Sequence, residues 1–182
     1  MVIDEPVVYQ NFIDEIDRLQ LKEYAIDLLN SNELKTNHST FGDYRKFKSF
    51  YSVEELNAIH KKLYYKICNF LHLENEMIDP KLGMIISVIK PGGYIHNHID
   101  RYPNSPEFSN KRNFRFNVMI ERGEDQSYNP IIDQRTISVN KCDAWCFVAS
   151  KYEHETSVIS GPEKRIVYQF GFMIDRLLYS VI

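Results

Sequence analysis

The stretch Pro91-Gly92-Gly93-Tyr94-Ile95-His96-Asn97-His98-Ile99-Asp100 joins a glycine turn to three ionisable side chains at alternate positions. In an extended strand, side chains alternate between the two faces, so His96, His98 and Asp100 are predicted to share one face. Neutral imidazole nitrogen and anionic carboxylate oxygen both bind divalent metals such as Fe(II), Mn(II) and Zn(II). The stretch therefore predicts part of a metal site on a β-strand.

Short β-type segments dominate the chain on both sides of this motif. Residues 84–89 form a continuous apolar run that is typical of a buried strand and leads into the glycine turn. Further β-type runs, separated by loops rich in Gly, Pro, Asn or Asp, cover residues 114–121, 131–139, 144–149, 154–159 and 165–174. Several short strands at this spacing, preceded by helices that can cover one sheet, predict a β-sandwich or jelly roll.

Two amphipathic helices are predicted in the N-terminal part, after a short extended segment around residues 7–9. Residues 12–29 carry apolar side chains at helical spacing, and residues 53–72 do so after Ser52, which begins a capping-box pattern that ends at Glu55. The polar stretch 31–50 is predicted to be a loop with at most one short strand. His60 and His72 are expected on the solvent-facing side of the second helix.

Composition excludes several classes of protein. The 182 residues suit one domain, and a net charge of -3 argues against a broad phosphate-binding surface, so no nucleic-acid partner is expected. The three cysteines do not suggest a disulfide framework. The N-terminus lacks the features of a signal peptide, and no apolar run is long enough to span a membrane. These observations predict a cytoplasmic protein with no membrane partner.

His154 and Arg165, further along the chain, could complete a site around the predicted metal motif. His154 opens a predicted strand, and a fold with two facing sheets can bring it opposite His98 and Asp100. Two histidines and one carboxylate would leave coordination positions open for substrates. Arg165 begins the last apolar strand, where its planar guanidinium can bind a carboxylate at two points.

These motifs resemble the Fe(II)- and 2-oxoglutarate-dependent dioxygenases of the double-stranded β-helix fold, a cupin-like jelly roll. The likeness is greatest to the aspartyl/asparaginyl and prolyl hydroxylase branches. It implies a single oxygenase domain over residues 1–182, with mostly helical support in 1–81 and the double-stranded β-helix in 82–175. The residues that carry it are Pro91-Gly92-Gly93, Ile95, His98-Ile99-Asp100, Asp143-Ala144-Trp145-Cys146-Phe147, His154 and Arg165.

The resemblance implies a cofactor, a cosubstrate and a reaction. His98, Asp100 and His154 would bind Fe(II), and Arg165 would hold the distal carboxylate of 2-oxoglutarate. With dioxygen, the family reaction hydroxylates an aliphatic carbon and yields succinate and CO2. In the aspartyl/asparaginyl branch an Arg-X-His pair also holds 2-oxoglutarate, and the matching residues here are Arg115 and Asn117, so these two are further candidate cosubstrate contacts.

The resemblance implies an amino acid, or an amino-acid side chain in a small molecule or peptide, as substrate. Candidate substrate contacts are His96, Trp145, Arg101 and Tyr102. His96 has three open interpretations: it replaces His98 as a ligand, contacts the substrate, or lines the entrance. Two alternatives to the main interpretation also stay open: a cupin-like metal enzyme that does not use 2-oxoglutarate, and a non-enzymatic β-sandwich binding module.

Overall fold

The computed structural model describes residues 5–36, 44–73, 77–100 and 110–175. Two α-helices precede most of the strands: α1 (Glu15–Asn30) and α2 (Ala58–Leu71). The strands in the described part of the chain are β1 (Val7–Tyr9), β2 (Lys35–Thr36), β3 (Arg45–Phe50), β4 (Met77–Ile78), β5 (Met84–Ile89), β6 (Ile95–His98), β7 (Lys111–Glu121), β8 (Pro130–Ile132), β9 (Arg135–Thr136), β10 (Ala144–Val148), β11 (His154–Thr156) and β12 (Arg165–Asp175).

The strands form two antiparallel sheets. In the large sheet the order is β1-β10-β7-β12-β5-β3-β2, and β4 pairs with the C-terminal half of β12. The small sheet has the order β6-β11-β8-β9. The predicted mainly β architecture with N-terminal helices is therefore confirmed, and its longest strands, β7 and β12, lie side by side in the large sheet.

Residues of the large sheet alternate strictly between two environments. On β12, Ile166, Tyr168, Phe170, Phe172 and Ile174 join the core that the sheet shares with both helices. The intervening residues of β12 face the opposite way, where Val167 packs in a second cluster that includes Ile132 of the small sheet. This alternation follows from the two-residue period of a strand. It leaves one face of the sheet free to build a site.

The second helix begins later than the sequence predicts. Asn57 caps it, because its side-chain oxygen accepts a hydrogen bond from the His60 amide at 3.0 Å. Ser52 lies in a preceding turn, where its amide donates to the Glu55 carboxylate at 3.1 Å. One of the two hydrogen bonds of a capping box, from the Ser52 amide to Glu55, is therefore present, but no helix begins there. The predicted helix start at residue 53 is wrong.

The polar stretch predicted as a loop contains two strands. β3 pairs with β5 along its whole length, from Arg45 opposite Ile89 to Phe50 opposite Met84, and β2 pairs with β3. The basic residues make β3 look like a polar loop in the sequence. In the structure, Lys48 lies over the Phe50 ring while its ammonium binds Glu33 at 2.6 Å. Residues 37–43 of the same stretch lie outside the described residues.

His60 is a core residue, so its predicted place on the solvent-facing side of the helix is wrong. Its side chain is fully buried and meets the rings of Phe50, Tyr168 and Phe170 edge-on, at 4.9 to 5.4 Å between centroids. Neither ring nitrogen has a hydrogen-bond partner among the described residues. Burial lowers the pKa of His60 to about 3, so the imidazole is neutral at physiological pH. His72 is exposed, as predicted.

The helices and the cysteines show two further features. Within the described ranges, no helix combines the length and hydropathy needed to cross a membrane. Cys68, Cys142 and Cys146 form no disulfide.

Candidate metal centre and adjoining cavity

His98, Asp100 and His154 meet at one edge of the small sheet. His98 ends β6, His154 begins β11, and the two residues are direct partners in the ladder between these strands. One potential ligand atom from each of the three side chains lies within 4.8 Å of the other two. The Nε2 atom of His98 is 3.7 Å from Oδ1 of Asp100, and the two imidazole centroids are 4.2 Å apart. The structure thus brings together the three predicted ligands.

Both histidines are held by the same local contact. Nδ1 of His98 lies 2.8 Å from the carbonyl oxygen of His96, and Nδ1 of His154 lies 3.1 Å from that of Tyr152. Because a carbonyl oxygen can only accept, each Nδ1 carries the proton of its hydrogen bond. The Nε2 lone pair of each ring is then available for a metal, which is the common arrangement around ligating histidines.

The third member of the cluster, Asp100, is fixed by a buried arginine. Arg115 donates from Nε and Nη2 to Oδ2 of Asp100, at 3.1 and 3.0 Å. The same Nη2 atom lies 3.1 Å from Oδ2 of Asp79, whose side chain is fully buried. The Asp79 carboxylate also accepts from the Asn113 amide at 2.6 Å and from the Lys81 backbone at 2.9 Å. A buried polar network therefore supports one candidate ligand, and within the described residues Nη1 of Arg115 is its buried nitrogen without a hydrogen-bond partner.

The environment of His154 favours its neutral form. Burial, together with the nearby imidazole of His98, lowers the pKa of His154 to about 4, and the charge of Asp100 opposes this shift only in part. A neutral imidazole is the form that binds a metal. The cluster therefore has the charge and donor set of a site for a divalent metal.

A cavity adjoins the cluster between the two sheets. Its walls combine apolar side chains with a few convergent polar ones, which is the usual composition of a ligand site. The residues that line it are Ile95, Arg115, Asn117, Pro130, Ile132, Trp145, Phe147, His154, Glu155, Thr156, Arg165 and Gln169.

Arg165 is the most deeply buried cation in this cavity. Its side chain is 2% exposed, its Nε donates to the Tyr128 carbonyl at 2.8 Å, and its guanidinium lies 5.7 Å from the Trp145 ring centre. It forms no ion pair with a carboxylate of the described residues. Burial and the nearby positive charge of Arg45 lower the pKa of Arg165 to about 9. A buried charge without a counter-ion is costly, so the site suits an anionic ligand.

The remaining predicted site residues have different positions. Arg115 lines the cavity, although its guanidinium is engaged with two carboxylates, so its contact with a cosubstrate stays a prediction. Asn117 is buried beside Trp145, whose carbonyl it contacts at 3.4 Å, and both line the cavity. His96 is exposed, with its ring 5.2 Å from that of His98 and outside the three-residue cluster. Arg101 and Tyr102 lie outside the described residues.

Two functional candidates escaped the sequence-based prediction. Asp79 precedes Pro80 in a turn, where an aspartate usually only caps the backbone. Arg45 lies in the stretch that was predicted to be a loop. Recognising Arg45 requires the pairing of β3 with β5, and recognising Asp79 requires the pairing of β4 with β12. No local pattern reveals either pairing.

The fold defined by these two sheets occurs in solved 2-oxoglutarate-dependent enzymes. A viral collagen prolyl hydroxylase from Paramecium Bursaria Chlorella virus-1, in complex with 2-oxoglutarate, is 13% identical with a TM-score of 0.70, covering 95% of this chain and 98% of that one. A prolyl hydroxylase from Trichoplax adhaerens, solved with a peptide fragment of hypoxia inducible factor, is 11% identical with a TM-score of 0.70, covering 98% and 87%.

A third similar structure comes from outside the prolyl hydroxylases. HygX from Streptomyces hygroscopicus, solved with nickel, 2-oxoglutarate and hygromycin B, is 8% identical with a TM-score of 0.66, covering 92% of this chain and 82% of that one. At these identities the likeness shows a common fold. No protein-family model matches the chain, and no curated protein matches it significantly in sequence.

Proposed function

We propose that the protein is an Fe(II)- and 2-oxoglutarate-dependent dioxygenase whose two sheets form a double-stranded β-helix. One observation carries this proposal: His154 of the three-residue cluster and the uncompensated Arg165 line the same cavity. A metal held by the cluster and an anion held by the arginine would therefore share one cavity.

The donor set fits Fe(II). Two imidazole nitrogens and one carboxylate oxygen form the facial set that is characteristic of non-haem iron oxygenases and leaves positions open for other ligands. His98 and His154 would each bind through Nε2, because Nδ1 is engaged with a backbone carbonyl. Asp100 would bind through Oδ1, because Oδ2 already accepts two hydrogen bonds from Arg115.

The hydrogen bonding of Arg165 supports 2-oxoglutarate as the cosubstrate. Both terminal nitrogens of Arg165 are without a hydrogen-bond acceptor among the described residues, since only Nε is engaged, with a backbone carbonyl. A guanidinium fork in this state binds a carboxylate at two points. Two of the structures with this fold were solved with 2-oxoglutarate bound, which supports the proposal.

Bound iron and 2-oxoglutarate would supply the activation of dioxygen, coupled to oxidative decarboxylation of the cosubstrate to succinate and CO2. The protein's own part is to orient and to exclude water. Arg115 fixes the Asp100 carboxylate, while Trp145 and Phe147 provide apolar walls. Asn117, buried beside Trp145, is a second candidate contact for the cosubstrate.

The proposed reaction is hydroxylation of an aliphatic carbon in an amino acid, or in an amino-acid side chain of a small molecule or peptide. Two observations support a substrate of this size. The similar Trichoplax enzyme was solved with a peptide, and the similar HygX with the small molecule hygromycin B. His96, exposed beside the cluster, is a candidate substrate contact at the entrance.

The test is succinate formation from 2-oxoglutarate when oxygen is admitted to protein that was loaded with iron anaerobically, in the presence of amino acids and short peptides. We expect turnover by the wild type and none by Asp100→Ala, with Asp27→Asn as a control that removes an exposed carboxylate of α1. Circular dichroism would show that each variant is folded. Iron binding without any binding or decarboxylation of 2-oxoglutarate would overturn the proposal.

A further inference from the structure

A second arginine, Arg45, lies on the same face of the large sheet as Arg165, two strands away. Ile89 on β5 pairs with Arg45 on one side and with Arg165 on the other. Directly paired residues of antiparallel strands project from the same face of a sheet. The two arginines therefore stand on the face that carries the cavity, separated by one strand.

Within the described ranges, Arg45 is held through Nε alone, which leaves the two terminal nitrogens of its guanidinium available. Its Nε lies 3.3 Å from the hydroxyl oxygen of Ser87, which is itself buried, and its guanidinium lies 5.6 Å from the Phe47 ring centre. Among the described residues the guanidinium has no ion pair, and its two terminal nitrogens have no acceptor. Arg165 is held in the same manner, through Nε alone.

Within the part of the chain that the structure describes, the charges around Arg45 do not balance its own. Burial and repulsion from Arg115 lower the pKa of Arg45 to about 10, and Asp100 is the carboxylate that opposes this shift. That carboxylate is already bound to Arg115. An anion that reached Arg45 would therefore be attracted without displacing a partner from among the described residues.

We infer that Arg45 binds a carboxylate of the substrate, so that the substrate is an aliphatic molecule with a free carboxylate. This inference rests on the proposed function, in which Arg165 serves the cosubstrate. The division of roles follows burial: Arg165 is 2% exposed on a central strand, whereas Arg45 is half-buried on a strand near the sheet edge. If 2-oxoglutarate binds the buried Arg165, the guanidinium of Arg45 is left for the substrate.

The carboxylate has two sources, which differ in the size of the molecule behind it. It is either the α-carboxylate of a free amino acid or an acidic group of a peptide. Neither source requires a contact from His96, whose exposed ring lies beside His98. Matched acids and amides of both sizes distinguish them.

The test measures binding, with Zn(II) in place of the oxidisable iron and with 2-oxoglutarate at saturation. Ligand-observed saturation-transfer NMR would compare the L-amino acids with their carboxamides, and N-acetylated peptides that carry acidic groups with the corresponding fully amidated peptides. We expect at least one acid to bind and its amide not to bind. Arg45→Gln should weaken binding of that acid by about 10- to 100-fold, as expected for a charge-assisted bidentate contact.

Two controls make the outcome specific. Lys46→Gln removes a neighbouring positive charge on the opposite face of β3, since Lys46 pairs with the helix-facing Val88, and should leave binding unchanged. Calorimetry should show that Arg45→Gln binds 2-oxoglutarate within about twofold of the wild type. Equal binding of acids and amides, no binding of any acid, or an unaltered Arg45→Gln variant would overturn the inference.

Two other outcomes separate the inference from the proposed function. A tenfold loss of 2-oxoglutarate affinity in Arg45→Gln would assign the residue to the cosubstrate, which overturns the inference and leaves the proposed function intact. Failure of the wild type to bind 2-oxoglutarate would overturn the proposed function, and the inference with it.

Discussion

Arg115 contacts Asp100 through two nitrogens that converge on one carboxylate oxygen, Oδ2. The other oxygen, Oδ1, is left facing His98, whose Nε2 lies 3.7 Å away. A carboxylate held in this way presents one defined oxygen to a metal. Asp79 in turn holds Arg115. The orientation of Asp100 therefore depends on Asp79, which acts through Arg115.

Removing the charge of Asp79 should weaken metal binding without abolishing it. In Asp79→Asn, Arg115 loses one of its two carboxylates, and Asp100 becomes less well oriented. We expect an affinity for Zn(II) or Fe(II) about 10- to 100-fold lower, as for other residues that support metal ligands. Calorimetric titration with metal measures this, with Asp27→Asn as control. An unchanged affinity would mean that Asp79 serves folding alone.

The two histidines of β6 should respond differently to the same substitution. His98→Ala removes an imidazole of the cluster and should abolish metal binding, whereas His96→Ala removes an exposed ring outside it. We expect the second variant to keep metal affinity within about threefold, because all three predicted ligands remain. Metal titration of both variants is the measurement. Loss of binding in His96→Ala would make that residue a ligand and revise the cluster.

Substitution of Arg165 should raise the requirement for 2-oxoglutarate. Arg165→Gln removes the buried fork, and we expect the 2-oxoglutarate affinity of the Zn(II)-loaded protein to fall by about 10- to 100-fold. Metal affinity should stay the same, since Arg165 is not part of the cluster. The exposed Arg135 supplies the control variant, Arg135→Gln. Undiminished affinity in Arg165→Gln would place the cosubstrate elsewhere.

His60 should make the fold sensitive to acid. Its pKa is about 3 in the folded protein, against an ordinary value of 6.5. Between these two pH values the His60 imidazole is mostly protonated in the unfolded chain and mostly neutral in the folded protein. Stability is then lost as the pH falls from about 6.5 towards 3. Between pH 7 and pH 4.5 this one group should lower the free energy of unfolding by about 2 to 3 kcal/mol.

Urea unfolding of metal-free protein across this pH range tests the role of His60. His60→Leu places an apolar side chain of similar volume among Phe50, Tyr168 and Phe170, and should flatten the acid-induced loss by the amount given above. The contribution of His154 is common to both proteins and cancels in the comparison. His72→Asn, at an exposed position, should behave as the wild type. A pH profile that His60→Leu shares with the wild type would contradict the prediction.

The sequence predicts the parts of this structure that local patterns encode. The strand at residues 84–89 follows from its apolar run, and the proximity of His98 and Asp100 follows from their alternate positions on extended chain. Residues 154 and 165 each begin a β-type run in the sequence, and the two-sheet fold brings both to the same cavity. These predictions needed only the period of a strand and the type of side chain.

The missed features depend on contacts between distant segments. His60 looked like a polar-face residue, because its burial depends on Tyr168 and Phe170, more than one hundred positions further along the chain. β3 looked like a loop because its basic residues obscure an alternation that becomes evident only beside β5. Asp79 is recognisable as a support of the site only when Arg115 is placed against it.

The alternation of β12 limits how this protein can change its length. Helix-facing residues such as Tyr168 and cavity-facing residues such as Arg165 occupy one continuous strand that pairs on both sides. Insertion or deletion of one residue would turn every following side chain to the opposite face. Such a change would remove aromatic side chains from the core and cavity-lining side chains from the cavity wall at the same time. The number of residues in this strand is therefore fixed by its two faces together.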